Sequence, residues 1–189
     1  MGAHKLLLPL GGRPLIAHVV IAACARSANP VIVVLGHDAE RVAAALPPGR
    51  QQVIINPSYQ EGMSTSLRVG LAAIPPQTAG ALILLGDQPL VTANLVEQML
   101  EAARESPASI LAASYGGRRG NPVYFPRAYF EELRKVTGDE GGRSVVQHHP
   151  ESVQLVPIVH MDAALDADSP DDYQRILAAW ERQSSMGNR

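Results

Sequence analysis

Six short apolar runs punctuate the chain: PVIVVLG (30–36), QVIINP (52–57), ALILLGD (81–87), SILAASY (109–115), NPVYF (121–125) and VQLVPIV (153–159). They are continuous rather than alternating, the pattern of strands covered on both faces. Runs this short also occur in buried helices, but their glycine and proline boundaries favour strands. Between them lie helical patterns. Pro14 opens a helix over 14–28, because proline suits a first turn. Asp38 caps a short helix through Leu46, and Ser64 or Thr65 caps one through Ile74. Thr92 precedes NLVEQMLEAARE, where Leu95, Met99 and Ala103 share a face, and Pro126 opens RAYFEELRKV. Ser169-Pro170-Asp171-Asp172 combines a cap, a first-turn proline and acids at the positive end of the helix dipole. That helix runs toward Trp180, and the tail SSMGNR is expected to fray.

Strand and helix in alternation predict an α/β layer fold, a mostly parallel sheet with helices on both faces. GGRRGNPVYF breaks the rhythm and predicts an antiparallel strand. Nothing splits the 189 residues, so 1–189 is expected to be a single domain.

Charge and composition narrow the class. A net charge of −2, from 16 basic and 18 acidic side chains, offers no basic face for nucleic acid. The single cysteine, Cys24, excludes an internal disulfide framework and suits a reducing cytoplasm. The longest apolar run, Leu15 to Ala25, is interrupted by His18 and too short for a bilayer, and no leader pattern precedes it. Aromatic content of 4% implies an aliphatic core.

One acid stands out. Asp87 follows an apolar run and Gly86, and Pro89 fixes the loop after it. Ligands in open α/β sheets sit outside the carboxyl ends of strands. A lone carboxylate there suits Mg²⁺, which takes one or two carboxylates and completes its sphere with phosphate and water. A turn aspartate bonding its own backbone is the alternative.

The segments MGAHKLLLPLGGRPLI, NPSYQEGMSTSLRVGL, LLGDQPLV, GGRRGNPVYF, GDEGGRS and LDADSPDDY occur in this order and cover most of the chain. Together they resemble the molybdenum cofactor nucleotidyltransferases, whose signature reads LAAGxSxRMGxxK followed by an apolar stretch and GxPL. GDQP with GMSTSLRVGL is more similar to the cytidylyltransferase branch. The resemblance implies a Rossmann-like, glycosyltransferase-A-like nucleotidyltransferase fold. It also implies an Mg²⁺-dependent transfer of CMP from CTP to molybdopterin, with a molybdenum hydroxylase as a candidate recipient of the product. The sequence enters that signature at Met1-Gly2. The family's first strand and glycine-rich phosphate loop, about 15–25 residues, are therefore expected upstream. Without that central strand, its neighbours would leave backbone groups unpaired at about 1–3 kcal/mol each. A degraded copy is the rival explanation.

By the same resemblance Lys5 reaches the nucleotide phosphates, although a lysine there would otherwise read as a solvated charge. Asn56, Gly62, Ser64, Thr65 and Ser66 face the base and ribose; a helix cap alone would explain Ser64. Asp87 and Asp166 hold the metal, with Asp168 in reserve. Arg118, Arg119, Gly120, Asn121 and Pro122 form a basic, glycine-flanked loop near the acceptor, or an ordinary hairpin turn. Gly138, Asp139, Gly141 and Arg143 also lie on the acceptor side, where the Arg143 fork suits a terminal phosphate. Arg13 follows a glycine pair and reads as a surface arginine, with a second phosphate contact as the alternative. His148 and His149 are adjacent, which is expected to point them to different faces, and no HExxH zinc motif is present. Two rival functions are a guanylyltransferase or other NTP transferase with a different acceptor, and a non-catalytic cofactor-binding module.

Overall fold

A computed structural model of the chain describes residues 4–26 and 30–186, the side chains of Arg26 and Met186 excepted. Met1-Gly2, the end of the predicted 14–28 helix and the last three residues of the tail lie outside the described residues. A 3-10 turn (Lys5–Leu7) leads into a hairpin of two short strands, β1 (Pro9–Leu10) and β2 (Arg13–Pro14). Gly11 and Gly12 turn it with φ of 53° and 81°. Then follow α1 (Leu15–Arg26), β3 (Ile32–Leu35), α2 (Ala39–Ala44), β4 (Gln52–Ile55), α3 (Met63–Ala73) and β5 (Gly80–Ile83). The second half comprises α4 (Ala93–Glu105), β6 (Ile110–Tyr115), β7 (Arg118–Pro126), α5 (Phe130–Lys135), α6 (Arg143–His148), β8 (Val153–Pro157) and α7 (Pro170–Met186).

All six apolar runs contain strands, but the sheet is mixed rather than mostly parallel. One sheet has the order β5-β7-β6-β8, with β7 antiparallel to both neighbours and β6 parallel to β8. The antiparallel insertion follows from the Gly116-Gly117 turn, with φ of 59° and 82°, which returns the chain directly from β6 into β7. A second, parallel sheet contains only β3 and β4. Among the described residues, β3 and β5 each keep one edge without a partner strand.

Two helices span the interval between these edges. From α1, Ile16 and Val20 pack with Val33 and Leu35 of β3, while Ala22 joins the cluster of Leu82 and Leu84. From α3, Leu67 and Leu71 join the cluster of Ala81 and Ile83, and Gly70 backs onto Val34. Alternation along each strand sends successive side chains to opposite faces, so α1 covers one face and α3 the other. Not every run is covered twice: β4 exposes Val53 and Ile55, the latter 56% accessible, because it is an edge strand with one face open.

Caps differ in detail. Asp38 is the residue before α2, but it has φ 53° and turns its carboxylate to Arg41 Nη1 at 2.7 Å; the helix ends at Ala44. Ser169 behaves as expected: its Oγ accepts from Asp172 N–H at 3.2 Å while Asp172 Oδ2 accepts from Ser169 N–H at 3.1 Å, a reciprocal box. The helix persists past Trp180 to Met186.

His148 and His149 converge instead of diverging. His148 ends α6 and His149 leaves the helix with φ −123°, which swings both rings onto Glu132 of α5. His149 Nε2 donates to Glu132 Oε2 at 2.7 Å, and His148 Nδ1 lies 3.3 Å from Oε1. The hydrogen bond to Glu132 raises the His149 pKa, and the same bond lowers that of Glu132. The His149 contribution to stability is complete below its ordinary pKa of 6.5 and is lost as pH rises through the raised value. The Glu132 contribution is complete above 4.5 and is lost as pH falls through the lowered value. The pair is therefore fully formed between these two ordinary values. Melting temperatures measured from pH 5 to pH 9 are expected to fall toward alkaline pH by a component that Glu132→Gln lacks.

Candidate active site

The site begins where β5 ends. The strand stops at Ile83, earlier than the apolar run suggests, and Leu84 to Gly86 carry the chain into a turn that presents Asp87. Across it, the segment before α7 supplies Asp166 and Asp168. Ala167 N–H donates to the Asp87 carbonyl at 3.1 Å, which locks the two acid loops side by side.

Lys5 closes the cluster. Its Nζ donates to Asp87 Oδ2 at 2.6 Å and to Asp168 Oδ1 at 2.8 Å. Partial burial disfavours the ammonium, but the hydrogen bonds to Asp168 and Asp87 outweigh it and raise the Lys5 pKa. The lysine is therefore held charged between two carboxylates. Asp166 sits deeper. Burial raises its pKa, the Gln88 hydrogen bond opposes this, and the charges of Asp87 and Asp168 add to the rise. Three carboxylates facing one ammonium leave negative charge unbalanced, the condition that favours a hard cation. Among the described residues, no three His, Cys, Asp or Glu side chains form a ready-made metal cage.

Two members of the cluster escaped the sequence reading. Gln88 donates from Nε2 to Asp166 Oδ1 at 2.6 Å. Tyr115, at the end of β6, has its pKa pushed up to about 12 by burial and by the charge of Asp166. Its hydroxyl donates to the Asn121 carbonyl at 2.6 Å. A polar residue beside Asp87 in an otherwise apolar stretch was the available signal for Gln88; Tyr115 had none, because β6 and the late acid loop meet only in the fold.

The second group of expected residues surrounds the start of α3. Asn56 is 1% exposed, and its polar atoms are engaged internally. Its Nδ2 donates to Thr65 Oγ1 at 2.7 Å and Ser66 Oγ at 2.9 Å, and its Oδ1 accepts from Ser58 N–H at 3.0 Å. Asn56 thus shapes the loop. Neither Ser64 nor Thr65 caps the helix, which starts at Met63. The first amides are instead bound from afar, Met63 N–H to Asp139 Oδ1 at 3.0 Å and Ser64 N–H to the Gly138 carbonyl at 3.0 Å. Ser64 Oγ is buried and has no partner among the described residues.

Gly62 has φ 108°, and a Cβ there would lie 2.5 Å from the Gly138 carbonyl carbon. The close approach is to the chain itself. Gly62→Ala meets both strain and a backbone clash, and is expected to cost about 2 kcal/mol or more. A thermal melt should show a fall of about 4–8 °C; an unchanged melting temperature would mean that the 138–139 loop moves away freely.

The expected acceptor residues divide. Arg118 to Pro122 are not a loop but the first half of β7, since Gly116 and Gly117 make the turn. Arg119 pairs in register with Ser114, and a Cβ on Gly120 would lie 2.9 Å from the Tyr115 ring. This half-strand reaches the acid cluster through Tyr115. Arg143 opens α6 and lines a cavity of about 340 Å³ with Asp139, Glu140 and Gln147. That cavity is tied to the α3 N-terminus by the Gly138 and Asp139 bonds. Arg13 lies on the exposed β1–β2 hairpin, and among the described residues no ion pair joins it to the cluster. A Cβ at Gly86 would meet Leu6 and Ile16 at ordinary contact distance, so packing within the chain does not require glycine there.

Comparison with known proteins bears on the family and the fold. A family model described as the MobA-like NTP transferase domain matches residues 1–153. The bifunctional protein GlmU of Burkholderia lata is 36% identical over 110 residues, which is 58% of this chain and 24% of GlmU. The chain thus spans about a quarter of the GlmU relatives it matches. Nicotine blue oxidoreductase of Paenarthrobacter nicotinovorans is 27% identical over 92% of this chain and 87% of its own length. The crystal structure of Rv0371C from Mycobacterium tuberculosis, in complex with manganese, superposes with a TM-score of 0.79 and 29% identity, covering 92% of this chain and 91% of that one.

Proposed function

The chain belongs to the MobA-like NTP transferase domain family, and on that premise we propose that it transfers CMP from CTP to a molybdopterin-type cofactor. An oxygen of the acceptor's terminal phosphate forms a bond to the α-phosphorus of CTP. The bond from that phosphorus to the bridging oxygen breaks, and its electron pair leaves on pyrophosphate. The observation that carries this reading is the meeting of Lys5 with Asp87 and Asp168, with Asp166 alongside.

This reaction needs no protein nucleophile. It needs two anions held in line and their charge offset. Lys5 is placed to exchange its carboxylate partners for nucleotide phosphates. Asp87 and Asp166 are the pair that would hold Mg²⁺, and their mutual repulsion fits a cation between them. A bound Mg²⁺ would supply Lewis-acid stabilisation of charge on the phosphates. In this reading the Gly62–Ser66 segment borders the ribose and base, with the Met63 and Ser64 amides already taken by Asp139 and Gly138 and the Ser64 hydroxyl buried. Arg119 to Pro122 and Arg143 border the acceptor.

In full-length protein that carries the sheet-completing strand and turn, with molybdopterin as acceptor, pyrophosphate release is expected to run much faster from CTP than from GTP. A preference for GTP would overturn the base assignment and leave the reaction class standing; release from neither would overturn the reaction itself.

We further propose that a parallel strand completes the sheet between β3 and β5, followed by a glycine-rich turn toward the phosphates. Two edges without a partner among the described residues, roofed by α1 on one face and α3 on the other, support it.

A further inference from the structure

We infer that Gln88 is a positioning residue that clamps one oxygen of Asp166 and leaves the other free for a cation. The inference rests on the nucleotidyl-transfer reading of the site. Gln88 is 3% exposed. Its amide meets Asp166 Oδ1 at 2.6 Å. A carboxylate only accepts, so the amide must present nitrogen, and this fixes which way it is turned. Its Oε1 is then buried with no donor among the described residues. An unmatched buried acceptor is costly, and an apolar side chain of the same length would avoid that cost. The amide is therefore explained by its N–H bond to Asp166 and not by packing.

The neighbours leave this task to Gln88. Lys5 is engaged by Asp87 and Asp168. The Tyr115 hydroxyl is given to the Asn121 carbonyl. Among the described residues, Gln88 supplies the one side-chain donor to Asp166. A carboxylate with one oxygen held by an outer partner has its remaining lone pairs oriented, which is how second-layer amides tune metal ligands.

The test is Mn²⁺ affinity in the presence of CTP, read from the electron paramagnetic resonance signal of the free ion. Gln88→Met is expected to weaken Mn²⁺ binding about tenfold, and a thermal melt beside it checks that the variant remains folded. Asp166→Asn should weaken binding as well, and the double variant should bind no more weakly than Asp166→Asn alone, the mark of coupled residues. Gln88→Asn keeps the amide but not the reach; it should show the same loss, and it replaces Gln88→Met should that variant fail to fold. Wild-type Mn²⁺ affinity in Gln88→Met or Gln88→Asn, with a loss in Asp166→Asn, would overturn the role of Gln88 and leave the site standing. Unchanged affinity in both Asp87→Asn and Asp166→Asn would overturn the site and the role together.

Discussion

Asp87→Asn is expected to lower nucleotidyl transfer at least tenfold, and to do so without unfolding the protein. Asp87 lies in a loop beyond β5, and its backbone carbonyl, which binds Ala167 N–H, is retained in the variant. What changes is one charge. The asparagine offers a weaker ligand to a cation and a weaker partner to Lys5, now bonded to Asp87 at 2.6 Å. A tenfold loss corresponds to about 1.4 kcal/mol of transition-state stabilisation. The check is pyrophosphate release against Mg²⁺ concentration, beside a thermal melt. Near-normal turnover with an unchanged Mg²⁺ dependence would show that the carboxylate does not serve the metal.

The second large effect concerns stability. Placing an apolar strand and a glycine-rich turn ahead of residue 1 is expected to raise the melting temperature by about 6–12 °C and to tighten CTP binding. The edges of β3 and β5 are four residues long each. A strand between them forms about eight hydrogen bonds at roughly 1 kcal/mol each. Ordering its residues costs about 1–2 kcal/mol apiece, and its side chains add burial against α1 and α3. The expected rise in melting temperature corresponds to a net gain of about 3 kcal/mol for a domain of this length. Calorimetry with CTP and Mg²⁺ on both proteins supplies the binding comparison. Equal melting temperatures and equal affinities would mean that the interval is filled some other way and that the turn is not needed for the phosphates.

Much of the fold was legible because its signals are local. Apolar runs ended by glycine or proline marked all six main strands, and the Ser169–Asp172 box marked α7. The split of the sheet was not legible, because periodicity says which residues are buried and nothing of which strand lies beside which. The same limit applied to capping. Ser64 resembles a helix cap in sequence, yet Gly138 and Asp139, distant along the chain, bind those amides. The histidine pair failed similarly: the helix ends between the two residues, and only the backbone turn at His149 brings both rings to Glu132.

The charged members of the candidate site were legible in the sequence, and their supports were not. Lys5, Asp87 and the late acids stand in recognisable segments, and the fold brings them together. Between the two late acids, the resemblance favoured Asp166 for the metal and kept Asp168 in reserve. The fold separates them: Asp168, 69% exposed, pairs with Lys5, while the deeper Asp166 takes the Gln88 amide. Asn56 was expected to face the base, but its polar atoms hold the loop of Ser58, Thr65 and Ser66 together. A buried amide that organises a loop and one that binds a ligand carry the same letter, and only the partners distinguish them.

The most direct measurement is a crystal structure with CTP and Mn²⁺, with the ion located by its anomalous scattering. The expected result is a peak coordinated by Asp87 and Asp166, with Lys5 Nζ moved from the carboxylates to a phosphate oxygen. A CTP complex whose Mn²⁺ lies out of reach of Asp87, with Lys5 still bound to Asp87 and Asp168, would contradict it.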